Sequence, residues 1–313
     1  TAGDLYTCAS FDLFRGLDGK VAGPVQRLVA AGAQSQWSID QLFRGSARDG
    51  VPMTVRVGLS EPGVAFASLV DNASTDSAVL LGAAPASEWI VPVVAHLPGA
   101  EGTFWSSSVS LWNASGSTAW VDLEYLPERT DNSGGGQHAP YVRLDPWATR
   151  TLDDVVLNSF GIDDGKGVLA IGSTQPITVS SRVFTDCLVC PSGGASGNGV
   201  RSVPAAALDA QPKVLPGVLV ADGFRTNVGL VTGGGWVNFT VELRDGDGAL
   251  LGTKAISVPP RTMRQWSVEQ LFGAAFVAPD PVGSLRVSAS GPFLAYLTVI
   301  DGINYAGPPA KEG

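Results

Sequence analysis

The stretch QWSIDQLF at residues 36–43 returns nearly unchanged as QWSVEQLF at residues 265–272, and a degenerate third copy, TLDDVVLNSF, occupies residues 151–160. Aligning Gln36, Thr151 and Gln265 gives spacings of 115 and 114 residues. A second landmark keeps that period: FASLVD, SRVFTD and YLTVID end at Asp71, Asp186 and Asp301, 115 residues apart each time. Two unrelated landmarks sharing one period point to an internal repeat, and a repeat governs how every motif inside it is read.

Within the octet, Ser38 followed by Gln41 and Ser267 followed by Gln270 fit the capping box, in which a hydroxyl and an amide exchange hydrogen bonds across the first helical turn. Asp153 takes the N-cap place in the middle copy. Trp37, Leu152 and Trp266 precede the caps, and Leu42, Leu157 and Leu271 follow four residues after them, the two positions of a hydrophobic staple. The octet therefore reads as a short capped turn between two strands. An exposed tryptophan platform for a sugar or a protein is the functional alternative.

Strands surround the turn. Val237, Phe239, Val241 and Leu243 alternate and share one face of an extended chain. FRGLDGK at 14–20 matches LRDGDGA at 243–249, and Asp-Gly between apolar runs signals a hairpin with a type I′ turn. The second and third copies open on strand pairs, VPVVAHLPG with SSSVSLWN and KVLPGVLVA with RTNVGLVT. About seven short strands per period predict an all-β fold of three tandem antiparallel β-sandwich repeats of about 115 residues. The repeats are expected over 1–83, 88–204 and 212–313, with linkers near 77–88 and 201–213. The first lacks its opening strands, roughly 25–30 residues by the additive logic of repeats. Either the sequence is a piece of a longer or processed chain, or a neighbouring polypeptide supplies a strand by β-augmentation.

Composition agrees. The chain's 39 glycines, 21 prolines and only 16% charged residues suit short strands and turns better than a helical bundle. A net charge of −9 without a basic run disfavours nucleic acid and anionic membrane surfaces, both of which need clustered Lys and Arg. No apolar run approaches the roughly 18 residues of a membrane helix. The opening TAGDLYTC is not a basic-then-apolar leader, as expected of a mature secreted product and equally of a cytoplasmic fragment.

Candidate chemistry is sparse. Cys187 and Cys190 form a CxxC that runs into PSGGASGNG, which cannot be a helix. A local disulfide or inert thiols fit it better than zinc or a redox centre, and a disulfide places the protein outside the cytoplasm. His96 is the better of two histidines for a hydrolase base, but no G-x-S-x-G elbow nominates a serine; His138 lies in a Gly-rich insertion. Asp163 with Asp164, Asp245 with Asp247, and Asp71 with Asp76 crowd oxygen ligands in turns and are weak calcium candidates, since the same residues also simply make tight turns. TGGGW and NSGGGQ lack a Walker lysine, so no cofactor is expected. Trp105, Trp112, Trp120 and Trp236 are candidate carbohydrate platforms. Asn72, Asn113 and Asn238 lie in glycan-acceptor triplets.

The order VVAHLPGAEGTFWSSSVSLWN, VRLDPWATRTLDD, GVLAIGSTQPITVSSRVF resembles tandem modules of uncharacterised secreted bacterial proteins. The second half of each copy is more distantly similar to the small β-sandwich of the sensory-rhodopsin transducer family, in which a capped segment precedes a strand, a PI-V run and an Asp. The resemblance implies a fold and work through protein contacts, and transfers no catalytic residue. The expectation is a non-catalytic extracytoplasmic protein that builds a filament, surface structure or larger assembly by binding protein partners or itself. A ligand-binding adhesin and a hydrolase on His96 are the alternatives.

Overall fold

The computed structural model describes residues 6–99, 102–186, 193–219, 221, 223–273 and 282–301. Almost all of the regular structure is antiparallel strand. The N-terminal segment contains β1 (Tyr6–Arg15), β2 (Lys20–Ala30), the short helix α1 (Ile39–Phe43), β3 (Met53–Leu59), β4 (Phe66–Val70) and β5 (Ser77–Leu81). The middle segment contains β6 (Ala86–Pro98), β7 (Phe104–Asn113), β8 (Ala119–Pro127), β9 (Gln137–His138), β10 (Val142–Leu144), β11 (Thr149–Leu152), α2 (Val155–Phe160), β12 (Gly165–Asp186), β13 (Ala195–Val200) and β14 (Val203–Pro204). The C-terminal segment contains β15 (Lys213–Leu219), β16 (Phe224–Thr232), β17 (Val237–Arg244), β18 (Leu250–Val258), β19 (Met263–Ser267), α3 (Val268–Phe272), β20 (Val282–Ala289) and β21 (Phe293–Asp301).

The C-terminal segment is a two-layer β-sandwich. One sheet runs β15-β20-β17-β18 and the other β19-β16-β21. Side chains from both sheets, including Val228, Leu230, Phe239, Val241, Leu285 and Val287, share one core cluster with Leu271 of α3. The alternation read from β17 holds: Val237, Phe239, Val241 and Leu243 are buried, while Asn238 and Thr240 face solvent.

The middle segment repeats that pairing plan in a continuous sheet, β10-β8-β12-β6-β7-β11. Its long strand β12 pairs β6 up to Gly172 and β8 up to Ser173, then shifts register and, from Ile177, which also meets Ala86 of β6, pairs β7 as far as Thr185. One strand thus passes between the two layers, doing the work that β20 and β21 share. Trp89 is fully buried where the layers meet, and its indole N–H donates to the carbonyls of Ala86 and Ile177. That satisfies a donor which would otherwise be costly to bury.

In the N-terminal segment only one sheet of the same plan is present among the described residues, β2-β1-β3, with β4 and β5 forming a separate hairpin. β1 pairs β3 as β17 pairs β20, with Leu13 opposite Val55 and Leu243 opposite Leu285. The cross-strand pair Asp12 and Arg56 likewise has a counterpart in Glu242 and Arg286, with N–O distances of 2.6 and 3.7 Å.

The octets fold as capped turns. Ser38 Oγ accepts the Gln41 N–H at 3.1 Å while Gln41 Oε1 accepts the Ser38 N–H at 2.8 Å, and Ser267 and Gln270 repeat this at 3.1 and 2.9 Å. Trp37 packs edge-on to Phe11 in the cluster holding Leu42, and Trp266 joins the C-terminal core with Leu271.

The middle copy departs from expectation. Its N-cap is Asp154, not Asp153, with φ 43° and no side-chain cap bond. The Asp154 carboxylate is drawn to His96 instead, and the Asp153 carbonyl accepts the Asn158 amide at 2.7 Å. The staple shifts with it: Leu152 is buried, but Val155, Val156 and Phe160 replace Leu157 as the helix's inward residues. The hairpin at 243–249 also differs from a type I′ turn. Its Gly248 N–H bonds the Asp245 carbonyl, and positive φ falls on Gly248 alone (86°), which makes it a three-residue loop closed by a left-handed glycine.

Candidate interaction site

The outer edges of the first segment set it apart. In the C-terminal segment β20 is flanked by β15 and β21 by β16; in the middle segment β12 is flanked by β6 and then by β7. The corresponding edges of β3 and β4 carry no strand among the described residues. Burial follows. Val55 and Val57 are half-buried, whereas their counterparts Leu285 and Val287 are fully buried. Every residue of β4 is exposed, with Phe66 at 40%, Leu69 at 49% and Val70 at 58%. An apolar strand edge of this kind offers unpaired backbone groups beside apolar side chains, which is a template for strand addition.

The three segments also dock in a recurring way. Phe14 at the end of β1 packs on the rings of Trp112 and Trp147, and the Thr149 N–H donates to the Gly16 carbonyl at 2.8 Å. At the next joint, Leu126 and Val168 pack against Val231 and Met263, and the Arg129 N–H donates to the Met263 carbonyl at 3.1 Å. Arg261 grips Glu124 through two N–H donors, at 3.1 and 2.5 Å, while Thr262 Oγ1 donates to the Pro127 carbonyl at 2.7 Å. Burial pushes the Glu124 carboxyl upward, but the Arg261 guanidinium and the Gly136 N–H outweigh it and leave the carboxyl below its ordinary range. Trp147 and Arg261, each two residues ahead of the docked Thr149 and Met263, both have positive φ, 62° and 51°. One positive-φ residue thus stands beside each of the two joints, a backbone conformation that costs energy unless its surroundings hold it.

The acidic turns serve the same docking. Asp71 Oδ1 accepts the N–H groups of Ala73 and Ser74, and its Oδ2 accepts that of Ala195; Asp76 Oδ2 accepts the Gly197 N–H at 2.6 Å. These carboxylates bind the β4–β5 hairpin to β13. The Ala195 N–H, then those of Ser74 and Ala73, hold Asp71 below the usual carboxylate range. Asp245 Oδ1 is engaged by the Asp247 and Ala249 N–H groups of its own turn. Neither Asp163 with Asp164 nor Asp245 with Asp247 belongs to a cluster of three or more metal-ligating side chains among the described residues.

His96 Nδ1 lies 2.7 Å from Asp154 Oδ2, with its ring edge-on to Phe104, and Ser106 Oγ reaches the same carboxylate oxygen at 3.5 Å. A Ser-His-Asp machine requires the imidazole between the other two groups. Here the carboxylate is central and the serine approaches it instead of the ring, so the cluster ties the head of α2 to β6 and β7. His138 pairs with Asp122 at 3.1 Å on the surface, and that carboxylate raises its pKa.

Trp112 is buried and its indole donates to the Trp147 carbonyl, which removes it as a platform; Trp105 is half-buried. Trp120 and Trp236 are 49% and 61% exposed, each directly before the first inward valine of its strand, Val121 and Val237. Asn113 is fully buried, and its amide donates to the carbonyls of Ser117, Leu144 and Asp145, so it cannot accept a glycan in the folded chain. Asn72 and Asn238 are exposed. Cys187 and Cys190 lie outside the described residues. No helix among the described residues is long and apolar enough to cross a membrane.

The joints were missed in the sequence, although Trp147 and Arg261 stand 114 residues apart, the period of the octet. Their chemistries differ, so only their spacing could have marked them. No family model and no curated protein matches the chain. A solved structure titled "Structure of infectious bursal disease virus Gx strain" aligns over 76% of this chain and 69% of that one, at 9% identity and a TM-score of 0.13, a likeness too slight to carry any argument.

Proposed function

We propose that the chain is a non-catalytic structural and interaction protein working outside the cytoplasm. It is built of three tandem β-sandwich modules and serves as a building block of a filament, surface structure or larger protein assembly. The observation that carries this reading is the edge of β3 and β4, which no strand covers among the described residues, set against two counterparts that are each covered by a strand pair. Docked joints between successive segments support a stiff array, because each combines apolar packing with backbone hydrogen bonds. The extracytoplasmic placement rests on the CxxC spacing of Cys187 and Cys190.

Hydrogen exchange of the purified chain tests the reading. Amides of Met53–Leu59 that point away from β1, and those of Phe66–Val70 that point away from β5, should exchange as open strands do, while amides of β12 and β20 stay protected. Equal protection in all four strands would remove the docking edge and with it this function.

The exposed rings of Trp120, near the start of β8, and Trp236, just ahead of β17, favour a second reading as a carbohydrate-binding adhesin. A glycan array on the native chain and on Trp120→Ala/Trp236→Ala distinguishes it. Saturable binding lost in the variant supports the adhesin, and equal signals from both proteins reject it.

A further inference from the structure

We infer that the outer face of the β15-β20-β17-β18 sheet is a capping face, made so by Arg244, Ser284 and Arg286. It refuses a further module seated in the way the three segments seat on one another. The inference goes beyond the assembly reading above and is independent of the edge of β3 and β4. It starts from one cross-strand position. In each segment an acidic residue directly precedes the last core residue of a long strand: Asp12 before Leu13, Glu124 before Tyr125, Glu242 before Leu243. The next residue points to the outer face. There Phe14 pairs with Thr54, Leu126 with Val168, and Arg244 with Ser284.

The first two pairs are the knobs of the joints. Phe14 packs on Trp112 and Trp147, and Thr54 Oγ1 lies 2.9 Å from Thr149 Oγ1. Leu126 and Val168 are buried against Val231 and Met263. The third pair is polar, and its charge is balanced within its own sheet. Arg244 donates to Glu242 Oε2 at 2.9 Å and to the Gly248 carbonyl at 3.0 Å, and Arg286 lies 3.7 Å from the same Oε2. The contrast with the middle segment is sharpest at the acid. Glu124 faces Ala170 across the strands and takes Arg261 from the next segment, whereas Glu242 faces Arg286 and has two guanidinium partners in its own segment. A module seated here as the C-terminal segment sits on the middle one would press side chains like Val231 and Met263 against the Arg244 guanidinium. Taking that ion cluster out of water without a new polar partner is unfavourable. Polar outer faces of this kind end stacked repeat arrays and keep them soluble.

The test uses the full chain, lengthened by inserting a second copy of residues 187–301 after Asp301, because Asp186 and Asp301 hold the same place in the repeat. A second version carries Arg244→Leu, Ser284→Val and Arg286→Ala in the original C-terminal segment. These changes reproduce Leu126, Val168 and Ala170 and leave Glu242 where Glu124 stands in the middle segment. Segmental isotope labelling of the inserted copy lets nuclear magnetic relaxation report whether that copy tumbles with the rest of the chain. In the native background the inserted module should not share the correlation time of the rest; in the triple variant it should. A module that locks onto the native face refutes the cap. A module that stays loose or unfolded in both backgrounds refutes the assignment of capping to these three residues. Neither result bears on the exchange of Met53–Leu59 and Phe66–Val70, so the assembly reading is judged separately.

Discussion

Arg261→Met should weaken the joint between the middle and C-terminal segments by about 1–2 kcal/mol, a figure that follows from where the pair sits. Arg261 holds Glu124 through two donors, and the Glu124 side chain is only 12% exposed against 32% for Arg261. Methionine keeps much of the apolar stem but leaves Glu124 with only the Gly136 N–H at 2.8 Å and the His138 ring at 3.9 Å to stabilise its charge. Breaking one side of a fully buried pair costs about 3–5 kcal/mol, and an exposed pair is worth about 0–1 kcal/mol, so a partly buried pair falls between them. A double-mutant cycle with Glu124→Gln, read by urea unfolding, isolates the coupling. The pH dependence has a definite sign. Because the Glu124 pKa is lowered in the folded chain, its contribution is present above the unfolded carboxyl pKa and is lost as pH falls through the folded value. Glu124→Gln should remove that acid-side loss. A coupling below about 0.3 kcal/mol at neutral pH, within the error of additivity, would refute the clamp.

Three further outcomes follow from named contacts. Ser38→Ala and Ser267→Ala should each cost about 1 kcal/mol in unfolding free energy, while Asp153→Ala should leave stability within about 0.5 kcal/mol, because Asp153 caps nothing. Leu230→Ala should cost about 2–5 kcal/mol, and Leu69→Ala should be near neutral, since the first side chain is fully buried and the second is 49% exposed. Alkylation of the unreduced, denatured chain followed by intact-mass measurement should label Cys8 alone, with Cys187 and Cys190 reacting only after reduction; three labels without reduction would reject the disulfide.

The all-β class and the sandwich were legible because strand alternation is local: Val237, Phe239, Val241 and Leu243 declare their face without any partner in view. Register was less legible. By sequence match Phe14 aligns with Leu243, yet the strand pairing makes Leu13, one residue away, the counterpart of Leu243. The last strands slip similarly, since Val179 and Ala295, not residues at equal distance from Asp186 and Asp301, face Leu111 and Leu230. Aspartates in turns tolerate such a shift, whereas inward residues do not. The cap at Asp154 was hidden for another reason. Its choice depends on His96, 58 residues away, and a distant imidazole leaves no trace in a local capping pattern. The open edge was legible only as missing length, and its apolar character emerged from the exposure of Phe66, Leu69 and Val70.

The first segment's dependence on its neighbours has a consequence for dissection. Among the described residues its apolar cluster has five buried members, Ala9, Phe11, Leu13, Leu42 and Phe43, against thirteen in the C-terminal core. Small cores leave little stability once conformational entropy is subtracted. Several contacts that fix the segment come from outside it. Phe14 is covered by Trp112 and Trp147, the Gly16 carbonyl is satisfied by Thr149, and Asp71 and Asp76 bind the N–H groups of Ala195 and Gly197. A fragment of residues 1–83 should therefore retain strand signal in far-ultraviolet circular dichroism, bind a hydrophobic dye and unfold without a cooperative transition. Extending it through residue 204 should restore cooperativity, because the extension supplies those contacts. If residues 1–83 alone unfold in a sharp two-state transition, the exposed edges of β3 and β4 are not a deficit in its core, and a strand pair would have nothing there to complete.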